Sequence, residues 1–104
     1  EDTLVDKPTY DALFATSLEE DLRRRGIDTL VVAGVTSHCC VDATVQAAFV
    51  RGFDVLVLSD CVAAFADETD LHEATLHVLA LLFAVVAPSA AFLEELARPG
   101  YPGR

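Results

Sequence analysis

Methionine and tryptophan are absent from this 104-residue chain, and only 7 lysines and arginines stand against 17 aspartates and glutamates. A chain without methionine that opens Glu1-Asp2-Thr3 is expected to be a processed product or a fragment of a longer protein. The formal charge of -10 repels phosphate backbones and anionic lipid, so neither nucleic acid nor a membrane is expected as a partner. No apolar run reaches the roughly 18 residues of a membrane span. The longest, residues 78–87, reads as a buried helix followed by a strand. The start carries no signal-peptide pattern. The cysteines number 3, and Cys39 and Cys40 are adjacent, a spacing that bridges only under severe strain. A disulfide framework is therefore not expected, and a reducing cytoplasm is the expected location.

What is present, 53% hydrophobic and 23% charged residues, is the composition of one soluble globular domain with one core. Ser17 with Glu20 three residues later is a capping-box signature, and Gly26 after three arginines is a stop, so a helix is expected over residues 17–25. TLVVAGV, Thr29–Val35, is short, β-branched and apolar at alternating and intervening positions, which predicts a strand covered on both faces. Val41, Val45, Ala48 and Phe49 recur at helical spacing from about Cys40 to the stop at Gly52. The pattern then repeats. A strand is predicted over residues 54–58, a loop at Asp60 and Cys61, and a helix opened by Asp70 and Glu73 with Leu71, Val78 and Leu82 on its buried face. A third strand is predicted over residues 83–87 and a helix over 90–97 capped by Ser89, with residues 98–104 a loose tail.

Strands alternating with helices predict right-handed crossovers and a parallel sheet between two helical layers, a three-layer α/β/α, Rossmann-like fold. Three strands make a small sheet with an open edge, so further N-terminal strands are expected outside this chain.

Ligands of open parallel sheets bind beyond the carboxyl ends of the strands, where residues 36–40 leave a strand and enter a helix. Cys40, expected as the first residue of that helix, would meet backbone N–H groups and the positive end of the helix dipole, which favour a thiolate and can face an oxyanion. The bland alternative is that cysteine fills apolar gaps, and Cys39 and Cys61 are expected to do so. A metal site at His38, Cys39 and Cys40 is disfavoured because consecutive side chains diverge. A redox pair of Cys39 and Cys40 is disfavoured by the same adjacency.

GVTSHCCVDAT, residues 34–44, resembles the nucleophile segment of the isochorismatase-like cysteine hydrolases, in which Gly-Val, a short turn, Cys-Val and a threonine recur. KPTYDALFAT from Lys7, RGFDV from Arg51, LSD from Leu58, Ala66-Asp67 and LHEA from Leu71 resemble other segments of that family in the same order. The resemblance spans nearly the whole chain, and it identifies residues 1–104 as the C-terminal portion of a single isochorismatase-like hydrolase domain.

The resemblance implies a Cys-Lys-Asp group that cleaves a C–N bond of a small amide, carbamoyl or ureido substrate through a covalent thioester. Cys40 would be the nucleophile and Lys7 the cation and proton-transfer partner. The backbone N–H groups of Thr36 and Cys40 would form the oxyanion hole, with a cis peptide before Thr36. The family's aspartate, on an earlier strand, has no counterpart here, and the metal ligands of its nicotinamidase-like members lie in the same missing part. No cofactor is therefore assigned from this chain. His38 is a candidate substrate-binding residue at the pocket mouth, while His72 and His77 read as surface or subunit-contact groups. The partners expected are a small-molecule substrate and either identical chains in a homo-oligomer or the missing N-terminal part. The alternative function is a non-catalytic, truncated relative acting as a binding or assembly subunit.

Overall fold

The computed structural model describes residues 2–99. Its elements are α1 (Leu18–Arg24), β1 (Thr29–Val35), a π-helical turn (Ser37–Val41), α2 (Asp42–Val50), β2 (Asp54–Ala63), a 3-10 turn (Ala66–Glu68), α3 (Thr69–Leu82), β3 (Val85–Ala87) and α4 (Ser89–Ala97). The sheet is parallel throughout, in the order β1-β2-β3. The α/β class and the alternation of elements match the sequence-based expectation. Residues 100–104 of the expected tail lie outside the described residues.

Leu30 pairs with Val55 and Val32 with Val57, so these four share one face of the sheet. That face meets Val45 and Ala48 of α2 and Leu79 of α3 in a core that also holds Val41, Phe53, Val62 and Leu13. The other face, with Val31, Leu56 and Val85 in register, is far less covered: Val31 is 43% and Val85 65% exposed. The cover expected on both sides of β1 is thus found on one side only within the described residues.

Other boundaries moved for identifiable reasons. Ser17 precedes α1 but forms no capping box: its backbone is not extended, and its hydroxyl donates to the Asp21 carboxylate at 3.1 Å. β2 runs on through Asp60 and Cys61, where a loop was expected, because Val62 alternates inward again and pairs beside Gly34. Cys61 consequently points outward and is exposed, which removes its reading as core filler. Ser89 is the first residue of α4 instead of its cap. Asp60, from the end of β2, accepts the Ser89 N–H at 2.7 Å and its hydroxyl proton at 2.6 Å. Those two bonds hold the Asp60 carboxyl below the usual carboxylate range.

In α3 the buried residue is Leu79, with Leu76 packed against the core, whereas the expected face of Leu71, Val78 and Leu82 is exposed. The helix is apolar on more than one side, so its sequence did not single out one stripe.

Candidate active site

The carboxyl ends of β1 and β2 present a short polar apparatus. Gly34 adopts φ +128, a conformation open to glycine and strained for any L side chain, as β1 slips register against β2. The peptide Val35–Thr36 is cis, as the resemblance implies. Thr36 is extended, and its carbonyl accepts the N–H groups of both Cys39 and Val41 at 3.1 Å. The chain thereby closes a π-helical turn before α2 starts at Asp42. Cys40 lies inside that turn, two residues ahead of the α-helix that it was expected to open. Single π turns concentrate at functional sites because they re-aim side chains that a regular helix would direct elsewhere.

Lys7 reaches the sulfur from the N-terminal segment: its Nζ lies 3.7 Å from Cys40 Sγ and donates to the Thr9 carbonyl at 3.0 Å. These two residues are 33 positions apart, and the segment is docked by Thr44 of α2. The Thr44 hydroxyl oxygen accepts the Ala12 N–H at 3.0 Å, and the hydroxyl donates to the Tyr10 carbonyl at 3.4 Å. Asp11 accepts the Leu13 N–H at 2.8 Å, an Asx turn that seats Leu13 in the core. Lys7, Ala12, Val32, Ala33, Val35, Cys40, Val41 and Thr44 together line a cleft of about 200 Å3.

A larger groove of about 500 Å3 lies at the amino end of the sheet, around Phe49, Phe53, Leu82 and Phe83. Asp54 is the only ionisable side chain in its lining. No thiol or ammonium stands beside Asp54 in that lining among the described residues, whereas the smaller cleft brings the Cys40 thiol and the Lys7 ammonium together.

Cys39 is half-buried, and burial pushes its thiol up, with the adjoining Cys40 sulfur adding to the effect through charge and a hydrogen bond. Hydrogen bonding to Thr36 and the Lys7 charge oppose that rise without cancelling it. The two neighbours are thus in different environments, and only Cys40 lies within hydrogen-bonding range of Lys7.

His38 is absent from the cleft lining. Its Nε2 lies 3.4 Å from Glu68 Oε2, and its Nδ1 is buried without a partner. His72, expected at the surface, instead shares a 2.8 Å hydrogen bond with the hydroxyl of the fully buried Ser37. His77 is exposed. Among the described residues Lys7 forms no ion pair with a carboxylate, and no three His, Cys, Asp or Glu side chains converge as a metal site. No described helix is long and apolar enough to cross a membrane.

Known proteins resemble this chain in sequence and fold. Residues 1–91 match the isochorismatase domain. Nicotinamidase 3 of Arabidopsis thaliana is 42% identical over 83 residues, which cover 80% of this chain and 41% of the relative. The ureidoacrylate amidohydrolase RutB of Methylobacterium radiotolerans is 35% identical over 98 residues, 94% of this chain and 38% of the relative. The crystal structure of an isochorismatase-like hydrolase from Alkaliphilus metalliredigens superposes with a TM-score of 0.86 at 28% identity, covering 92% of this chain and 52% of that one. The chain therefore spans about half the length, or less, of the proteins it matches. Fold, motif order and the matched domain agree: the chain belongs to the isochorismatase family.

Proposed function

We propose that this chain carries the nucleophile of a cysteine hydrolase that cleaves a C–N bond of a small amide, carbamoyl or ureido substrate. The observation that carries the reading is the 3.7 Å separation of Lys7 Nζ and Cys40 Sγ across 33 residues of sequence, at the carboxyl end of a parallel sheet. Cys40 Sγ attacks the carbonyl carbon, and the carbonyl oxygen takes the negative charge against the backbone N–H groups of Thr36 and Cys40. Collapse of the tetrahedral species breaks the C–N bond, and Lys7 passes a proton to the departing nitrogen. Water then attacks the thioester and gives a proton back to Lys7, the C–S bond breaks, and the acid leaves with Cys40 restored. Two relatives are named a nicotinamidase and a ureidoacrylate amidohydrolase, and amide and ureido groups are the carbonyl chemistry this scheme accommodates.

In the scheme the chain forms the C-terminal part of one hydrolase domain, and the carboxylate that orients Lys7 comes from elsewhere in the full-length protein. The test is Cys40→Ala in that protein. It is expected to abolish turnover and the acyl-enzyme mass increment while leaving the circular dichroism spectrum unchanged. Normal turnover by Cys40→Ala would refute the reading.

A second reading is a non-catalytic binding or assembly subunit that keeps the family fold and Cys40. That reading expects no acyl-enzyme with any amide or ureido compound and no selective alkylation of Cys40 near neutral pH.

A further inference from the structure

Ser37 is 0% exposed and is the only polar residue buried to that degree among those described. A buried hydroxyl costs stability unless it is hydrogen-bonded, and alanine would avoid the cost altogether. The partner comes from 35 positions away: His72, in the first turns of α3, puts Nδ1 2.8 Å from Ser37 Oγ. One turn earlier, Glu68 Oε2 lies 3.4 Å from Nε2 of His38, the next residue of the nucleophile turn. Glu68 is itself fixed, because its Oε1 accepts the Phe65 N–H at 3.1 Å. Consecutive residues between Thr36 and Cys39 are therefore fastened to the same short stretch of chain.

We propose that Ser37 and His72 are positioning residues for the oxyanion site, an inference that rests on the reading of Cys40 as nucleophile. The hydrogen bond fixes the rotation of the turn about Ser37, and with it the direction of the backbone N–H groups of Thr36 on one side and Cys40 on the other. The Glu68 and His38 pair is the second fastening point on the same turn. Oxyanion donors act only when aimed at the place where charge develops, so a small rotation of the turn is enough to weaken them. Neither His72 nor Ser37 touches the cleft beside Cys40, which separates this role from catalysis itself.

The experiment compares two reactions of Cys40 in the full-length protein. Acylation by an amide or ureido substrate passes through an oxyanion, whereas alkylation by iodoacetamide displaces iodide at a saturated carbon and generates none. His72→Leu is expected to slow acylation roughly 10- to 100-fold, with KM changed less than about threefold and the alkylation rate unchanged. His72→Asn, whose amide can occupy the place of Nδ1, is expected to recover most of the loss. Ser37→Ala should lose about as much as His72→Leu, and the double variant no more than either, because one bond is removed in all three.

An acylation rate unaffected by His72→Leu and Ser37→Ala overturns the proposal. So does a parallel fall of acylation and alkylation with no rescue by asparagine, since that is the behaviour of a general structural residue. An inactive Cys40→Ala beside a fully acylating His72→Leu sinks the positioning role alone, whereas an active Cys40→Ala removes the nucleophile reading and this proposal with it.

Discussion

The two ends of the sheet are built by different physics. At the carboxyl end, directional polar contacts dominate: Lys7 on Cys40, Thr44 on residues 10–12, His72 on Ser37, and Asp60 on Ser89. At the amino end, apolar and aromatic contacts fill the interior, and the polar ones, such as Arg51 Nε to Glu19 Oε1 at 3.1 Å, lie around its rim. Phe49 and Phe83 meet edge to face with centroids 5.4 Å apart, and Arg23 lies 4.0 Å over the ring of the buried Phe53. Apolar burial supplies free energy with little directional demand, whereas hydrogen bonds add little net stability and fix orientation. The division assigns stability to one end and the aim of the reactive groups to the other, so substitutions at the two ends should separate kinetic from thermodynamic effects.

The largest effect that tests the division is expected from Lys7→Met at the polar end. The lysine is exposed, and methionine keeps much of its length, so the denaturation midpoint should not move. If Lys7 transfers the proton as proposed, its loss should slow acylation roughly 100- to 10,000-fold, measured by stopped-flow release of the amine product. A destabilised protein of normal specific activity would break the comparison.

Leu79→Ala makes the opposite case. Leu79 is 0% exposed, and its carbonyl accepts the N–H groups of Phe83 and Ala84 at 2.9 Å, which ends α3 above the core. Removing its side chain should cost about 2 to 5 kcal/mol in urea unfolding while the folded fraction keeps its kcat. Loss of kcat without loss of stability would show that the core transmits strain to the cleft and that the two ends are coupled.

How much of this was legible beforehand follows from the range of each interaction. β1 was readable to the residue because a β-branched run is bounded by Asp28 on one side and the turn at Thr36 on the other. Cys40 and Lys7 were identified by motif resemblance, and nothing in periodicity would have joined residues 33 apart. The π turn was missed because apolar residues from Val41 onward fit a 3.6-residue period, and a single wider turn ahead of them leaves no repeat to detect.

The buried face of α3 was misassigned because Leu71, Leu76, Val78, Leu79, Leu81 and Leu82 offer several stripes, and only the sheet selects one. His72 read as a surface group for a related reason. Its partner, Ser37, is set by how the π-helical turn packs on α3, and the one local hint was a serine placed where an apolar residue would pack more simply. Asp60 was read as a loop residue because aspartate is poor in strand interiors, yet here it sits on an extension of β2 where a helix start needs an acceptor.

The smallest expected effect, and the most specific, belongs to that aspartate. Asp60 is exposed, so charge alone adds little, but its two oxygens accept from the Ser89 N–H and hydroxyl at the start of α4. Its carboxyl is held below the ordinary value by these bonds, the side-chain bond to Ser89 first and the backbone bond second. A group whose native pKa is depressed stabilises the fold above its unfolded value, near 3.9, and loses that contribution as pH falls through the native value. Asp60→Asn keeps the shape and removes the charge, so it should lower Tm by on the order of a few degrees at pH 6. The gap should narrow as pH falls below the unfolded value and close once the wild-type carboxyl is protonated in the native state as well. A gap that stays constant from pH 6 to pH 3 would assign the contact to shape instead of charge. It would also mean that this part of the polar end is held, like the amino end, by packing.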